Sequence, residues 1–158
     1  MVASVEVQFT SSRVTQQMEL LFAKRASELR RRVGEKLADC IVDLSPVDTG
    51  TYVLAHTASA SATGETATRS SANKPRGRNE AQFKNLARGN LKRSVASAAV
   101  LAGNEIWFRN RAEHAARVER AGWTDKNARG PYHVYAKAGA SFNTILRDAL
   151  AEMGMRTR

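Results

Sequence analysis

The candidates for acid–base chemistry are one histidine and two carboxylates in a short stretch of the chain. Glu113, His114 and Glu119 fall on one predicted helix at about residues 111–121. A histidine beside a carboxylate is the pairing used in general acid–base catalysis. The sequence places no nucleophile motif and no pocket signature next to them. We therefore expect no enzyme, and an enzyme built around His114 and Glu119 is kept as an alternative.

Metal and cofactor sites have less support still. The histidines His56, His114 and His133 lie in different predicted elements, and none has a second ligand type at i+3 or i+4 that would aim two donors at one metal. The sequence has no glycine-rich phosphate loop and no GxGxxG after a strand. Its single cysteine, Cys40, is predicted to be a small apolar residue beside a helix face. We expect no cofactor and no metal.

The basic residues are the other set that could bind a partner. The net charge is +10, yet residues 1–50 carry seven basic and seven acidic side chains. Residues 66–93 carry eight basic side chains against the single acid Glu80. Such a patch can contact nucleic acid, grip an acidic protein surface or keep the protein in solution. Our hypothesis is that seven of these basic residues form contacts between subunits or between adjacent rings: Lys74, Arg76, Arg78, Lys84, Arg88, Lys92 and Arg93.

The elements that must position these residues alternate irregularly between helix and strand. An apolar ladder over residues 14–44 predicts a long amphipathic helix, and Pro46 with Gly50 predicts a turn after it. Strands are predicted from period-two patterns and β-branched residues at about 3–10, 51–61 and 105–110. The further predicted helices cover about 79–102, 111–121 and a continuous segment from Pro131 to Met153.

These elements predict an α+β fold in which the long N-terminal helix and further helices pack on a small antiparallel sheet. A single structural domain spans residues 1–158, with 62–93 as an inserted basic segment made of an arm or loop and a helix. Residues 62–78 are too polar to bury and too long for a routine connection, so we expect a mobile loop or an arm that a partner orders. No run approaches eighteen apolar residues and no secretion signal is present, so we expect synthesis in the cytoplasm and no membrane contact.

Three sequence blocks occur in a recognisable order along residues 14–150. The first is Pro46-Val47-Asp48-Thr49-Gly50 leading into a strand, and the third is Pro131 ahead of a closing helix. The second block is a strand ending at Asn110, followed by Ala115, Glu119 and Gly122. This order resembles the bacteriophage neck or tail-completion family, the group that includes the lambda-type minor tail protein Z. His114 departs from the tyrosine usual in the family, the gap before Gly122 is one residue longer, and 62–93 has no counterpart.

The resemblance implies a structural virion protein that forms a ring in the neck or tail, with six copies expected and twelve as the alternative. Its partners would be neighbouring head-completion or adaptor proteins and tail-tube or terminator proteins, with non-specific contact to passing DNA. Another tail component, such as a tail terminator, is an alternative position. A small basic DNA-binding or packaging protein is an alternative function. Phe83 is the only aromatic residue of 66–93, so such DNA binding would be directed at the backbone and sensitive to salt.

Overall fold

A computed structural model of the chain describes residues 12–47, 50–61, 79–101, 105–120 and 131–155. Over these residues the helices are α1 (Ser12–Leu44), α2 (Thr51–Leu54), α3 (Glu80–Leu101), α4 (Ala115–Arg120), α5 (Val134–Ala140) and α6 (Phe142–Glu152). The strands β1 (His56–Ser59) and β2 (Trp107–Asn110) pair antiparallel, with His56 opposite Asn110. The predicted α+β class is confirmed. The predicted strand at 3–10 and the arm at 62–78 lie outside the described residues.

The long helix α1 ends where the sequence predicts. Ser45 follows Leu44 and is followed by Pro46, which disfavours helical geometry at the residue before it. The Ser45 hydroxyl donates a hydrogen bond of 2.7 Å to the carbonyl oxygen of Ile41. It thereby satisfies one of the carbonyl groups that the last helical turn leaves without a partner.

Only part of the apolar stripe of α1 is buried in the core. Val33 and Ile41 are buried, whereas Met18 and Leu21 are 50% and 60% exposed. The buried half lies against α3 at close range, because a Cβ on Gly34 would come within 2.6 Å of a Val95 methyl group. Over the described residues, the segment 16–26 of α1 therefore lies outside the packed core.

The start of α3 and the strand β2 follow the sequence prediction. The Asn79 side chain accepts a bond of 3.0 Å from the backbone N–H of Gln82, and the Gln82 side chain accepts one of 3.0 Å from the backbone N–H of Asn79. This reciprocal pair is a capping box, which fixes the helix start. In β2, Phe108 packs against the core while Trp107 is 41% exposed, as the period-two alternation requires.

The predicted strand at 51–61 is wrong over its first half, because residues 51–54 form the short helix α2. The backbone N–H of Leu54 donates to the Gly50 carbonyl oxygen at 3.0 Å. Tyr52 and Val53 are adjacent in sequence, and both are buried. A strand would point them to opposite faces, whereas a helical turn lets both enter one core. Tertiary packing here overrides the strand preference of these residues.

The predicted closing helix is also wrong in one respect, because it is divided at Ser141 into α5 and α6. The backbone N–H of Ser141 donates to the carbonyl oxygen of Ala138 at 3.1 Å. This i to i−3 hydrogen bond forms a tighter turn than the i to i−4 bonds of an α-helix. The break lets Val134 of α5 join the main core, while Ile145 of α6 joins a smaller cluster with Val33. Pro131 precedes α5 by three residues and lies outside its first turn.

Candidate assembly surfaces and a buried polar network

The described part of the predicted basic interface lies on α3, and three of its residues face α1. The Lys92 ammonium lies 2.7 Å from the Asp39 carboxylate. The Arg88 guanidinium pairs with Asp43 and lies 3.8 Å from Asp39. The Lys84 ammonium donates to the backbone carbonyl of Asp43 at 3.2 Å. These residues form a charged seam that holds α3 against α1 of the same chain, so part of the basic excess is neutralised internally.

Arg93 points elsewhere. Its guanidinium donates to the Asn90 side chain at 2.5 Å and to the Gly89 carbonyl oxygen at 3.3 Å, so both of these partners lie within α3. Lys74, Arg76 and Arg78 lie outside the described residues. That the seven basic residues form contacts between subunits or between adjacent rings stays a prediction. Sequence reasoning missed the charged seam because its acids on α1 and its bases on α3 are more than forty residues apart.

A buried polar network joins the end of α1 to β1 and α5. The His56 ring is 6% exposed, with Nε2 2.7 Å from the Ser45 hydroxyl and Nδ1 2.8 Å from the Tyr135 hydroxyl. Ser45 already donates its proton to Ile41. It must therefore accept from Nε2–H, and Nδ1 accepts from the hydroxyl of Tyr135. This bonding pattern assigns the neutral Nε2–H tautomer and satisfies both ring nitrogens.

The same network continues through Tyr52 to β2 and α4. The Tyr52 hydroxyl donates to the carboxylate of Glu119. The Asn110 amide donates to the backbone carbonyl of Tyr52 at 2.9 Å, and its oxygen accepts from the N–H of Ala112 at 2.9 Å. The rings of Tyr52 and His56 meet edge to face with centroids 5.1 Å apart. Residues from α1, α2, β1, β2, α4 and α5 are thus linked by polar contacts and ring packing.

Burial sets the protonation states in this network. It lowers the pKa of His56 to about 4. It also raises the pKa of Tyr52, and the hydrogen bond to Glu119 adds to that rise. Burial raises the pKa of Tyr135, with a smaller contribution from the Glu119 charge. At neutral pH the imidazole is uncharged and both phenols keep their protons, so the bonding pattern above is the one that exists.

This arrangement supports the fold and leaves a substrate no access to the serine. Ser45 is 2% exposed, so the Ser45–His56 contact is closed to a substrate even though it joins a hydroxyl to an imidazole. Sequence reasoning placed His56 as a packing or surface histidine and missed the network. The available signal was weak: along β1, His56 and Ala58 alternate with Thr57 and Ser59, which places His56 on the same, buried face as Ala58.

The alternative catalytic pair, His114 and Glu119, lies beside Tyr52. Glu119 accepts from Tyr52, and the His114 ring lies 6.3 Å from the Tyr52 ring between centroids. Neither residue lines the apolar cavity bordered by Val33, Phe108 and Phe142 or the charged cavity bordered by Arg32, Lys36 and Glu152. Among the described residues, no group of three or more potential ligands could hold a metal ion. Within the same ranges, no helix has the length and apolar character needed to cross a membrane.

Two apolar surfaces are exposed on the described residues. The first is the projecting segment, residues 16–26 of α1, every residue of which is exposed. The second is the apolar groove, a cavity of about 240 Å³ open to solvent. The apolar groove is lined by Leu29, Arg30, Val33, Gly34, Leu37, Ile106, Phe108, Phe142 and Leu146. Large exposed apolar surfaces of this kind mark interaction sites.

Comparisons of the chain with family models, curated proteins and solved structures find no match.

Proposed function

We propose that the protein is a structural virion protein that forms a ring in the head–tail connector of a tailed bacteriophage and joins head to tail through protein–protein contacts. The observation that carries this proposal is that residues of the second and third sequence blocks meet in one buried network, and that Ser45 and Tyr52 of the same network flank the first block. Gly50 ends the first block, Asn110 and Glu119 belong to the second, and Tyr135 follows Pro131 of the third. Asn110, Glu119 and Tyr135 bond into the network around Tyr52 and His56.

The glycine that ends the first block has a structural role beside this network. Gly50 has φ +79, a left-handed conformation that a glycine adopts without strain. A Cβ at this position would also collide with the ring of buried Phe83. Gly50 of the first block, together with Asn110, Glu119 and Tyr135, therefore helps to hold the fold together. This fits a subunit whose function lies in its surfaces.

The exposed apolar residues support the same proposal. Leu20 and Phe22 on the projecting segment are 70% and 67% exposed, and Val100 on α3 is 81% exposed. A ring subunit needs two unlike faces, because a head-to-tail contact closes into a ring when the rotation between copies allows it. Six copies are the expected number and twelve the alternative. The neighbouring layers would be head-completion or adaptor proteins on one side and tail-tube or terminator proteins on the other.

Microscopy of virus particles tests this proposal directly. Purified virions from a host that carries the gene should contain the chain in mass spectra, and cryo-electron microscopy should place a ring of it between portal and tail tube. Particles made without the gene should accumulate as separate heads and tails. Virions that lack the chain and still join would refute the proposal. A ring at the far end of the tail tube would favour a tail terminator.

A second test addresses the basic interface and avoids the charged seam. We expect replacement of Lys74, Arg76, Arg78 and Arg93 by Ala to stop joining of heads and tails without unfolding the subunit. The control removes Lys137 and Arg147, which are exposed basic residues on α5 and α6. Normal infectious particles from the four-residue variant would refute the assignment of these residues.

The DNA-binding alternative is favoured by one observation, the basic excess of residues 66–93. The charged seam weakens it, since Lys84, Arg88 and Lys92 already pair with acids or carbonyl groups of α1. Titration of fluorescent random duplex DNA across a salt series separates the two functions. Micromolar affinity with a steep loss on added salt would favour a DNA-binding protein.

A further inference from the structure

The short helix α5 closes one side of the buried site around His56. The rings of His56 and Tyr135 meet edge to face with centroids 5.7 Å apart, and the Tyr135 hydroxyl lies 2.8 Å from Nδ1. The other sides are formed by Ser45, Tyr52 and Asn110, which belong to other elements. Displacement of α5 would therefore open this site on one side and leave the other sides in place.

The helix α5 is held separately from α6 and from the central elements. The helix α1 packs on α3, α3 packs on α2 and β1, and β1 pairs with β2, so these elements stay joined without α5. In α6, Ile145 packs with Val33 of α1, and Glu152 pairs with Lys36 of α1 at 2.7 Å. The two closing helices are divided at Ser141. A short helix with such a junction can open locally while the rest of the domain stays folded.

The closed site suits the neutral ring of His56. In that state Nδ1 accepts from the Tyr135 hydroxyl, and Nε2–H donates to Ser45. A proton on Nδ1 could donate to the Tyr135 oxygen only if the hydroxyl turned its own proton away. It would also face the Asn110 amide NH₂ at 3.3 Å, since the Asn110 oxygen already accepts from the N–H of Ala112. Protonation therefore sets donor against donor and favours a state in which α5 has moved away.

The side chains that face the ring are uncharged near neutral pH. They come from the residue after α1 and from α2, β2 and α5: Ser45, Tyr52, Asn110 and Tyr135. Behind Tyr52 lie Glu119, which accepts from the Tyr52 hydroxyl, and His114, whose ring is 6.3 Å from that of Tyr52 between centroids. The helix α3 meets β1 through the Ser94 hydroxyl. Burial lowers the pKa of His56 to about 4 in this closed site, whereas a ring in water has a pKa near 6.5.

We propose that α5 opens from α1 about a hinge at Ser141 when His56 takes up a proton, so that the contact between Tyr135 and His56 acts as a pH-sensitive latch. The open state exposes the imidazole to water and leaves α3, the sheet and α6 folded. Because opening admits the proton and closing excludes it, the open state is favoured as pH falls. Between pH 7.5 and 5 the equilibrium constant for opening should increase about 30-fold. A subunit outside any virion should show the same opening.

Hydrogen exchange followed by mass spectrometry tests this opening on the full chain at pH 7.5 and pH 5. Each rate is divided by the intrinsic amide rate at that pH, so that only the opening of structure remains. Peptides from α5 should exchange faster than peptides from α3 and α6 at both pH values, and their corrected rate should be about 30-fold higher at pH 5. The reference is α3, because Leu91 and Val95 in it are fully buried.

Two variants act on the two sides of the latch. His56→Gln keeps a donor for Ser45 and an acceptor for Tyr135 but does not titrate, so α5 should exchange at the same corrected rate at both pH values. Tyr135→Phe keeps the ring and removes the hydroxyl, so α5 should exchange roughly tenfold faster than in wild type at pH 7.5.

Each variant has a matched control next to α5. His133→Asn removes an exposed histidine. Tyr132→Phe removes the hydroxyl of a tyrosine that packs against the core and keeps its backbone N–H bond to the Val118 carbonyl oxygen at 3.2 Å. Both controls should exchange like wild type at both pH values, and circular dichroism at pH 7.5 should show all variants folded. If a variant fails to fold, the comparison of α5 with α3 in wild type still decides.

The latch is overturned if α5 is as protected as α3 at both pH values, if the corrected rate of α5 does not change with pH, if His56→Gln keeps the wild-type change, or if Tyr135→Phe behaves like Tyr132→Phe. Loss of protection in α6 equal to that in α5 would overturn the hinge at Ser141. Absence of the chain from virions, with the exchange result intact, would end the connector proposal alone.

Discussion

The stability of the protein should depend on pH through His56. Burial lowers the pKa of the folded-state imidazole to about 4, while the unfolded chain has an ordinary histidine near 6.5. As pH falls below 6.5, the unfolded state takes up the proton first, so the free energy of unfolding decreases until pH reaches about 4. Each unit of pKa difference is worth about 1.4 kcal/mol, so the full loss is about 3 kcal/mol. Above pH 6.5 this contribution is complete and constant.

The assay is urea unfolding followed by circular dichroism at several pH values between 7.5 and 4. His56→Gln removes the titration but keeps one acceptor for the Tyr135 hydroxyl and one donor for Ser45. This variant should lose most of the pH dependence between 6.5 and 5. The lowered carboxyl pKa values of Glu28 and Glu152 act only at lower pH, because Arg31 and Lys36 respectively favour their ionised forms. The upper part of the window therefore isolates the imidazole.

His133→Asn is the matched control. His133 is exposed and has φ 48, a left-handed conformation that asparagine tolerates. Its removal should leave the pH profile of unfolding as it is in wild type. If His56→Gln keeps the full wild-type slope between pH 6.5 and 5, the buried neutral histidine is not the cause and the reasoning is refuted.

The remaining predictions concern the turn and the charged seam. Gly50→Ala should lower the free energy of unfolding by about 2–5 kcal/mol, because the alanine is strained at a left-handed φ and its methyl group collides with the Phe83 ring. Gly154→Ala is the control. It has the same kind of backbone strain at φ +70 but open space around it, so it should cost only about 1–2 kcal/mol. If urea unfolding shows the same loss of stability for Gly50→Ala and Gly154→Ala, the predicted collision with Phe83 is contradicted. Asp39→Asn should cost at most about 1 kcal/mol at low salt and less at 1 M salt, because its pairs with α3 are partly exposed. Glu19→Gln on the projecting segment should change nothing, and a loss for Asp39→Asn that salt leaves unchanged would argue against an ionic origin.

The helices were predicted well where one periodic stripe faces one core. The last turn of α1 is determined by Pro46, and the start of α3 is determined by the cap at Asn79. Both residues act on their immediate neighbours. The outward position of Trp107 in β2 follows equally from the two-residue period of a strand. Each of these features is determined by residues within one turn or one strand, so the sequence contains the whole cause.

The wrong predictions, the strand at residues 51–54 and the unbroken closing helix, concern residues whose conformation depends on contacts with distant segments. Tyr52 and Val53 favour a strand locally, but a helical turn buries both in one core. The break at Ser141 serves two separate clusters, which no pattern within the closing segment reveals. In both cases the deciding contacts come from elements far away along the chain.

By itself the sequence determined the α+β class, the long first helix with its turn, and the basic excess of residues 66–93. Only the tertiary structure decided that Arg88 and Lys92 meet acids of α1, that Lys84 meets the backbone carbonyl of Asp43, and that His56 is buried between Ser45 and Tyr135. The physical reason is range. Periodicity, caps and turns act over a few residues, whereas burial and charge pairing depend on which distant segments the fold brings together.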